Sequence, residues 1–281
     1  MGRGRAQQRW ALYSLATTAS GDAAALVAEF PKAQPLPLHT ALTVLADSDL
    51  HPSVPLHAAR KVAQAHGAAP FDDPQSSAAL DHLLTKSSTT RAAFFAPPVS
   101  AGGAEWEQPR CVCTDVTVRG QLSQQVTLTF HTSRTIAEMA PYADPRTWPV
   151  CSAFWVAMTQ LSLAPSKVTS VATDWAGAFE EIVEFMPGYP MTTPLLVNYR
   201  THGLDSVHTT YSLLAETSYL DVDEGSIDLA VDPNPPAGMP TKITAVKIIH
   251  WKSAALQAAP HLVCDTMWGE LGLNMASRCG L

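Results

Sequence analysis

The stretch VTLTFH at residues 126–131 alternates apolar and polar side chains. A period of two is typical of a β-strand that buries one face and exposes the other. Further strand-like runs bounded by turn-forming residues follow, and they lie near residues 167–174, 177–186, 191–201, 206–216, 224–232 and 241–251. The sequence therefore predicts seven antiparallel strands after residue 120, and residues 113–119 are a candidate for one more.

Helical patterns flank these strands. Two short helices are predicted near residues 133–140 and 150–161, and the segment around Asp223 and Gly225 is predicted to be a turn. The last segment, about 254–279, carries apolar residues on one side, as an amphipathic helix does. This order predicts an α+β fold in which the sheet buries one face against a long C-terminal helix.

The first third of the chain has a different character. Residues 1–96 are rich in Ala and Leu at helical spacing and are interrupted by prolines, so four short helices are expected. Residues 97–110 contain paired prolines and paired glycines, which are typical of a linker. The predicted organisation is a helical region at 1–96, a linker at 97–110 and a sheet domain at 111–281. The apolar stripes of the helical region need a partner surface, either the sheet domain or a second copy in a homodimer.

Composition limits the function classes. The 281 residues are 46% hydrophobic and carry a net charge of −7, without the basic patch that a nucleic-acid partner favours. No run reaches the ~18 apolar residues of a membrane span, and no secretion signal is visible. We therefore expect a cytoplasmic protein with neither a nucleic-acid nor a membrane partner.

The same reasoning applies to metals and cofactors. Five cysteines, an odd number, do not indicate a disulfide framework. The ten histidines are scattered without metal-ligand spacing, so no metal site is expected. No phosphate-binding loop or dinucleotide fingerprint is present, and no cofactor is expected.

Several local motifs point to a family. They are DPRTWP at 144–149 followed by Phe154 and Trp155, FEEIVE at 179–184, DEGSI at 223–227, and CDTMWG at 264–269 with MAS at 275–277. Together with the element order, they resemble the START-like (SRPBCC, Bet v 1-like) superfamily, in particular its actinobacterial polyketide cyclase-like or lipid-binding members. The resemblance covers roughly residues 120–280 and none of residues 1–110.

The resemblance implies a helix-grip fold. In that fold, a curved seven-stranded antiparallel sheet wraps around a long C-terminal helix and leaves a cavity for a small apolar molecule. Here the helix grip would carry an all-α N-terminal extension. Members of the superfamily bind lipids, hormones or metabolites, and others cyclise or aromatise polyketides, so the resemblance implies no single reaction.

The catalytic candidates are Glu181 and Tyr211. Strand alternation places Glu181 on one face with Phe179, Val183 and Phe185. A carboxyl group that loses water there has a raised pKa and can act as a general acid or base. Alternation also points Tyr211 inward. The alternative is that Glu181 pairs with a neighbouring strand and has a structural role.

The substrate-binding candidates are Trp155, Tyr199, Lys247 and His250. Trp155 is expected on the second short helix, which gates the cavity in a helix-grip fold. Tyr199 shares a strand face with other inward residues. The strand at 241–251 can face either way: one register brings Lys247 inward, with Glu181 as its partner, and the other brings His250 inward.

Two functions remain open. The first is a protein of specialised metabolism that binds a polyketide-like or terpenoid-like molecule in the grip cavity and, as an enzyme, catalyses cofactor-free cyclisation, dehydration or isomerisation. The second is a non-catalytic carrier, a sensor, or an interaction module with the N-terminal helices as its docking surface. A cavity of about 300–1,000 Å³ favours a ligand site, and a side-chain-filled grip favours the interaction module.

Overall fold

A computed structural model describes residues 2–21, 23–96, 106–165, 174–184, 186–202, 205–259 and 266–277. Within the described part of the N-terminal region there are six helices rather than four: α1 (Gly2–Ser20), α2 (Ala23–Glu29), α3 (Leu38–Ala46), α4 (Ser53–His66), α5 (Pro74–Lys86) and α6 (Arg91–Phe95). Most of the predicted linker, residues 97–105, lies outside the described residues.

Local chemistry sets the ends of these helices. The side chain of Asp73 accepts hydrogen bonds from the backbone N–H groups of Gln75 and Ser76 at the start of α5, and Pro74 occupies the first helical position, where a missing N–H costs least. Helix α4 ends at Gly67, whose φ of +68° suits glycine. Leucine and alanine side chains from α1, α3, α4 and α5 are buried together, in an apolar core that continues into the sheet domain.

The described sheet has eight antiparallel strands in the order β1-β2-β8-β7-β6-β5-β4-β3. Their bounds are β1 Arg110–Val118, β2 Gln121–Thr132, β3 Trp155–Pro165, β4 Trp175–Val183, β5 Met191–His202, β6 Ser206–Leu213, β7 Leu220–Val231 and β8 Thr241–Trp251. The α+β prediction is confirmed. The count of seven strands is wrong, because the candidate run at 113–119 is β1, which pairs with β2.

The helix predicted at 150–161 is also wrong. Residues 136–143 form α7 (Ile136–Ala143), and the second helix, α8, spans only Trp148–Cys151. The chain then enters β3, which pairs with β4 but shifts register between Trp155 and Ala157 and again between Gln160 and Ser162. Such bulges interrupt the period-two pattern, so this edge strand gives no clear alternation in the sequence. The strand predicted at 167–174 lies almost wholly outside the described residues.

The turn predicted around Asp223 lies inside β7. Gly225 pairs with Tyr211 on β6 and with Lys247 on β8. A Cβ atom on Gly225 would lie 2.5 Å from the Tyr211 Oη and 2.1 Å from the carbonyl oxygen of Val246. Glycine is therefore needed here so that the tyrosine ring can lie against the strand.

The described C-terminal segment contains two helices rather than one. Helix α9 spans Ala254–Gln257, and a π-helical turn at residues 266–268 leads into α10, Gly269–Ser277. Residues 260–265 are not described. Helix α10 lies on the sheet, and a Cβ atom on Gly272 would lie only 2.6 Å from Leu128 of β2. A glycine at this position lets the helix approach the strand closely.

The N-terminal helices pack against the other side of α10. All residues from Gly269 to Ala276 are buried, although the sheet covers only one face of this helix. The buried Arg9 of α1 also ties these helices to the sheet domain, because its guanidinium donates to the carbonyl of Ala153 and to Glu184, each at 2.8 Å. The C-terminal helix is thus a middle layer between the sheet and the helical region.

Candidate functional site

An ionic cluster lies on the face of the sheet that is covered by the C-terminal segment. The Lys247 Nζ of β8 is 3.0 Å from the Asp223 Oδ1 of β7, and the two side chains are 3% and 2% exposed. Burial alone would lower the pKa of Lys247, but the carboxyl groups of Asp223 and Glu181 outweigh burial and raise it. Burial raises the pKa of Asp223 despite the opposing effect of Lys247.

Glu181 of β4 completes the cluster. Its carboxyl accepts a hydrogen bond from the Trp155 Nε1–H at 2.6 Å. Burial is the largest effect on this group and raises its pKa; Lys247 and the hydrogen bond from Trp155 oppose that shift, and the charge of Asp223 adds to it. The predicted Glu181–Lys247 pair is therefore incorrect as a direct contact, because Asp223 is the ion-pair partner of the lysine.

Aromatic rings surround the lysine. Its Nζ lies 5.5 Å from the ring centre of Tyr211 and 5.7 Å from that of Trp268, within the range of cation–π attraction. Trp148 contacts the rings of Trp155, Tyr211 and Trp268 edge to face. Burial raises the pKa of Tyr211 well above its ordinary value, and the charges of Asp223 and Glu181 add to the shift, so its hydroxyl keeps its proton.

The cavity beside this cluster is small. Between the described side chains it measures about 10 Å³, with Glu181, Asp223 and Lys247 on its walls and Met191 and Met267 at its edge. That volume is near the minimum for one water molecule. The ligand-sized cavity expected inside the grip is therefore not found among the described residues.

Four of the six predicted site residues come together here: Trp155, Glu181, Tyr211 and Lys247. Trp155 reaches the cluster as the first residue of β3, and not from a gating helix as predicted. Asp223 was not predicted as a site residue, because its neighbourhood in the sequence is typical of a turn. Strand alternation could have identified it, since Asp223 is an even number of positions from the buried Ile227 and Leu229 and so shares their face of the sheet.

The other two residues lie elsewhere. Tyr199 stacks on Trp175 with ring centres 5.5 Å apart. Tyr199 is also distant from the ionic cluster. Thr193 of β5 pairs with Glu181, and Tyr199 lies six residues further along the same strand, which corresponds to roughly 20 Å. His250 is on the face of β8 opposite Lys247, where one ring nitrogen donates to the carbonyl of Leu122 at 2.7 Å. The register that brought His250 inward is therefore wrong.

A second buried acid, Glu270, joins α10 to the turn before β3. Its carboxyl accepts from the Ala153 N–H at 3.0 Å, from the Asn274 amide at 2.7 Å, and from the Ser152 hydroxyl. Burial raises its pKa to about 7, although the three donors oppose the shift. Glu270 was not predicted as a site residue, because two of its three partners, Ser152 and Ala153, lie more than one hundred positions away.

The apolar pocket is outside the sheet, where α1 and α4 meet the C-terminal segment. It has a volume of about 290 Å³. Its walls are Leu12, Ala16, Ala19, Val54, Ala58, Ala65 and Leu273, with His57, Lys61, Gln64, Thr266 and Glu270 as polar members. Three segments distant in sequence form this pocket, so no local pattern could predict it. The sequence feature related to it is the presence of several alanines on α1 and α4.

Among the described residues, no group of three or more His, Cys, Asp or Glu side chains is arranged to hold a metal ion. None of the helices in the described ranges combines the length and apolar character needed to cross a bilayer.

Comparisons with known proteins give matches in structure alone. No family model matches the sequence, and no curated protein matches it. A START superfamily protein from Mycobacterium smegmatis is similar in structure, with a TM-score of 0.37 and 10% identity over 55% of this chain and 96% of that one. A STAR-related lipid transfer protein from Xanthomonas axonopodis gives 0.40 and 11% over 63% and 94%.

A third similar structure is the di-domain ARO/CYC protein BexL from the BE-7585A biosynthetic pathway. Its TM-score is 0.34 and its identity 11%, over 75% of this chain and 62% of that one.

The ionic cluster predicts an asymmetry between two lysines. Lys247→Met removes the cation from a buried pair and leaves two carboxyl groups without it, so we expect the free energy of unfolding in denaturant to fall by about 3–5 kcal/mol. The control is Lys252→Met, because Lys252 pairs with Asp221 and Glu216 at the surface and should contribute much less. Equal effects of the two variants would contradict the buried pair.

Glu270 predicts a pH dependence of stability. Its pKa is about 7 in the folded chain and 4.5 for an ordinary glutamate, so the folded state binds more protons between these values. Its contribution is complete below pH 4.5 and is lost as the pH rises through 7, on the order of 3 kcal/mol in total. In Glu270→Gln, the unfolding free energy should fall less between pH 5 and 8 than in the native sequence.

The measurement is denaturant unfolding at several pH values. Glu216→Gln, which removes an exposed carboxyl, controls for the loss of one titratable group. Parallel pH profiles for the native chain and Glu270→Gln would show that Glu270 does not titrate in this range.

Proposed function

We propose that this chain binds a small, largely apolar molecule in the apolar pocket between α1, α4 and α10. The observation that supports this most directly is a space of about 290 Å³ with mainly apolar walls. This volume is at the lower end of the range of about 300–1,000 Å³ typical of ligand sites.

The walls explain why the space exists. Ala16 and Ala19 of α1 and Ala58 and Ala65 of α4 line it. Packed helices ordinarily interlock their side chains at high density, and larger residues at these positions would fill the gap. Four alanines on facing helices instead leave a volume into which an apolar molecule can bury its surface.

The position of the pocket also bears on the rival hypothesis. An interaction module would use the apolar faces of the N-terminal helices to dock a partner. In this chain, buried residues of α1 and α4 share one continuous core with the sheet domain, and Arg9 fixes α1 to the turn before β3. These faces are occupied by the chain itself, which favours ligand binding over docking.

Ala58→Phe tests the proposal. A phenyl ring at this position fills the pocket, so we expect the affinity for the neutral apolar fluorophore N-phenyl-1-naphthylamine to fall by about tenfold or more, equivalent to ~1.4 kcal/mol. Ala25→Phe on the exposed side of α2 adds the same ring elsewhere and should leave binding unchanged. Native mass spectrometry of the purified protein would identify a retained molecule. Undiminished fluorophore binding by Ala58→Phe would exclude this pocket.

A second function, proton transfer to a polyketide-like or terpenoid-like substrate during cyclisation, dehydration or isomerisation, is proposed for the ionic cluster. It is favoured by two buried carboxyl groups with raised pKa values around one lysine, since perturbed pKa values are common among side chains that donate or accept protons. Glu181 would donate that proton and Tyr211 would support it. The substrate would have to displace Met191 and Met267, which line the narrow cavity and have flexible side chains.

Infrared spectroscopy tests the protonation of Glu181 without a known substrate. At pH 7, the native chain should show the C=O band of protonated, buried carboxyl groups, Glu270 among them, and this band should be weaker in Glu181→Gln by the contribution of Glu181. The glutamine can still accept the hydrogen bond from Trp155, so the melting temperature should change little. If the band is unchanged, Glu181 is ionised and cannot be the proton donor.

A further inference from the structure

A second cavity opens beside the apolar pocket. It measures about 450 Å³ and lies between α4, the start of β1 and α10. We call it the basic groove; Arg60, Arg110, Gln108 and Cys111 are on its walls. The groove and the apolar pocket share four lining residues, His57, Lys61, Gln64 and Leu273. One molecule can therefore extend from the pocket into the groove.

The two arginines of the groove have no acidic partner among the described residues. Arg60 makes one long hydrogen bond, from its Nη2 to the carbonyl of Ala93 at 3.4 Å. Its Nε is buried without a hydrogen-bond acceptor in the described part of the chain. Burial lowers the pKa of Arg60, but a guanidinium keeps its charge in proteins. A buried donor without an acceptor is costly, so the described residues leave part of the hydrogen-bonding capacity of Arg60 unused.

The charge of the groove contrasts with that of the chain. The whole sequence has a net charge of −7, yet the described lining of the groove contains two arginines and one lysine and neither aspartate nor glutamate. The adjoining apolar pocket does contain an acid, Glu270, whose oxygens are bound to Ser152, Ala153 and Asn274. The described lining of the groove itself contains no carboxyl group that would repel an anion.

We infer that the ligand is an anionic amphiphile, with its apolar part in the apolar pocket and a carboxylate or phosphate group in the basic groove against Arg60 and Arg110. This inference depends on the proposed function, since it names the class of molecule for the same pocket. A planar guanidinium presents paired N–H donors that match both carboxylate and phosphate oxygens. The apolar walls select the tail, and the arginines select the sign of the charge.

Displacement of bound N-phenyl-1-naphthylamine by four ligands with the same ten-carbon tail tests this inference. The ligands are decanoate, decyl phosphate, decanol and decylamine. In the native chain, at least one anion should bind about tenfold more tightly than decanol and decylamine, and its advantage should shrink in high salt. The comparison of decanoate with decyl phosphate decides between the two head groups.

The variants are Arg60→Gln, Arg110→Gln and the double substitution, with Arg91→Gln as the control because Arg91 pairs with Asp81 on the neighbouring helices. The double variant should lose most of the preference for the anion while its affinity for decanol and its melting temperature stay unchanged. Equal binding of decanol and both anions by the native chain would overturn the inference and leave the proposed function standing. Ligand displacement unaffected by Ala58→Phe would overturn the proposed function itself.

Discussion

Helix α10 is buried from Gly269 to Ala276, and this burial constrains the arrangement of everything around it. A helix on the face of a sheet normally keeps a solvent-exposed side. Here the N-terminal helices cover that side, so polar residues of α10 must find partners inside the protein. Glu270 and Asn274 bond to each other, and Ser152 and Ala153 supply further donors. The link between α10 and the turn before β3 is therefore polar.

The protein buries carboxyl groups in two places, the ionic cluster on the sheet and Glu270 on α10, and these groups are stabilised differently. The cluster inside the sheet contains a cation, Lys247, which offsets part of the burial of Asp223 and Glu181. Glu270 has three neutral hydrogen-bond donors close by, and burial outweighs them and raises its pKa. All three carboxyl groups have raised pKa values, and each therefore favours the folded state more at acidic than at alkaline pH. Their effects on stability add in the same direction.

The sequence predicts the parts of the fold in which pairing is regular. Strand β8 has the predicted bounds, and its burial alternates without a break from Thr241 to Trp251. Burial also alternates without a break along β4, although its bounds differ from those predicted, so the inward position of Glu181 could be predicted from alternation. Prediction fails at β3, where two register shifts disturb the period, and at β7, where Asp223 and Gly225 look like turn residues. Contacts such as Glu270 with Ala153 depend on packing between distant segments, which periodicity does not encode.

The small cavity beside the ionic cluster and the larger apolar pocket outside the sheet are two aspects of the same packing. The side chains of the ionic cluster and of its aromatic neighbours fill the space between the sheet and the C-terminal segment; they include Lys247, Tyr211, Trp148, Trp155 and Trp268. Space for an apolar molecule must then arise elsewhere. It arises where alanines of α1 and α4 face α10, so the helical region supplies most of the pocket wall. The proposed ligand site therefore depends on the N-terminal third of the chain, and removal of residues 1–96 would eliminate the pocket rather than uncover it.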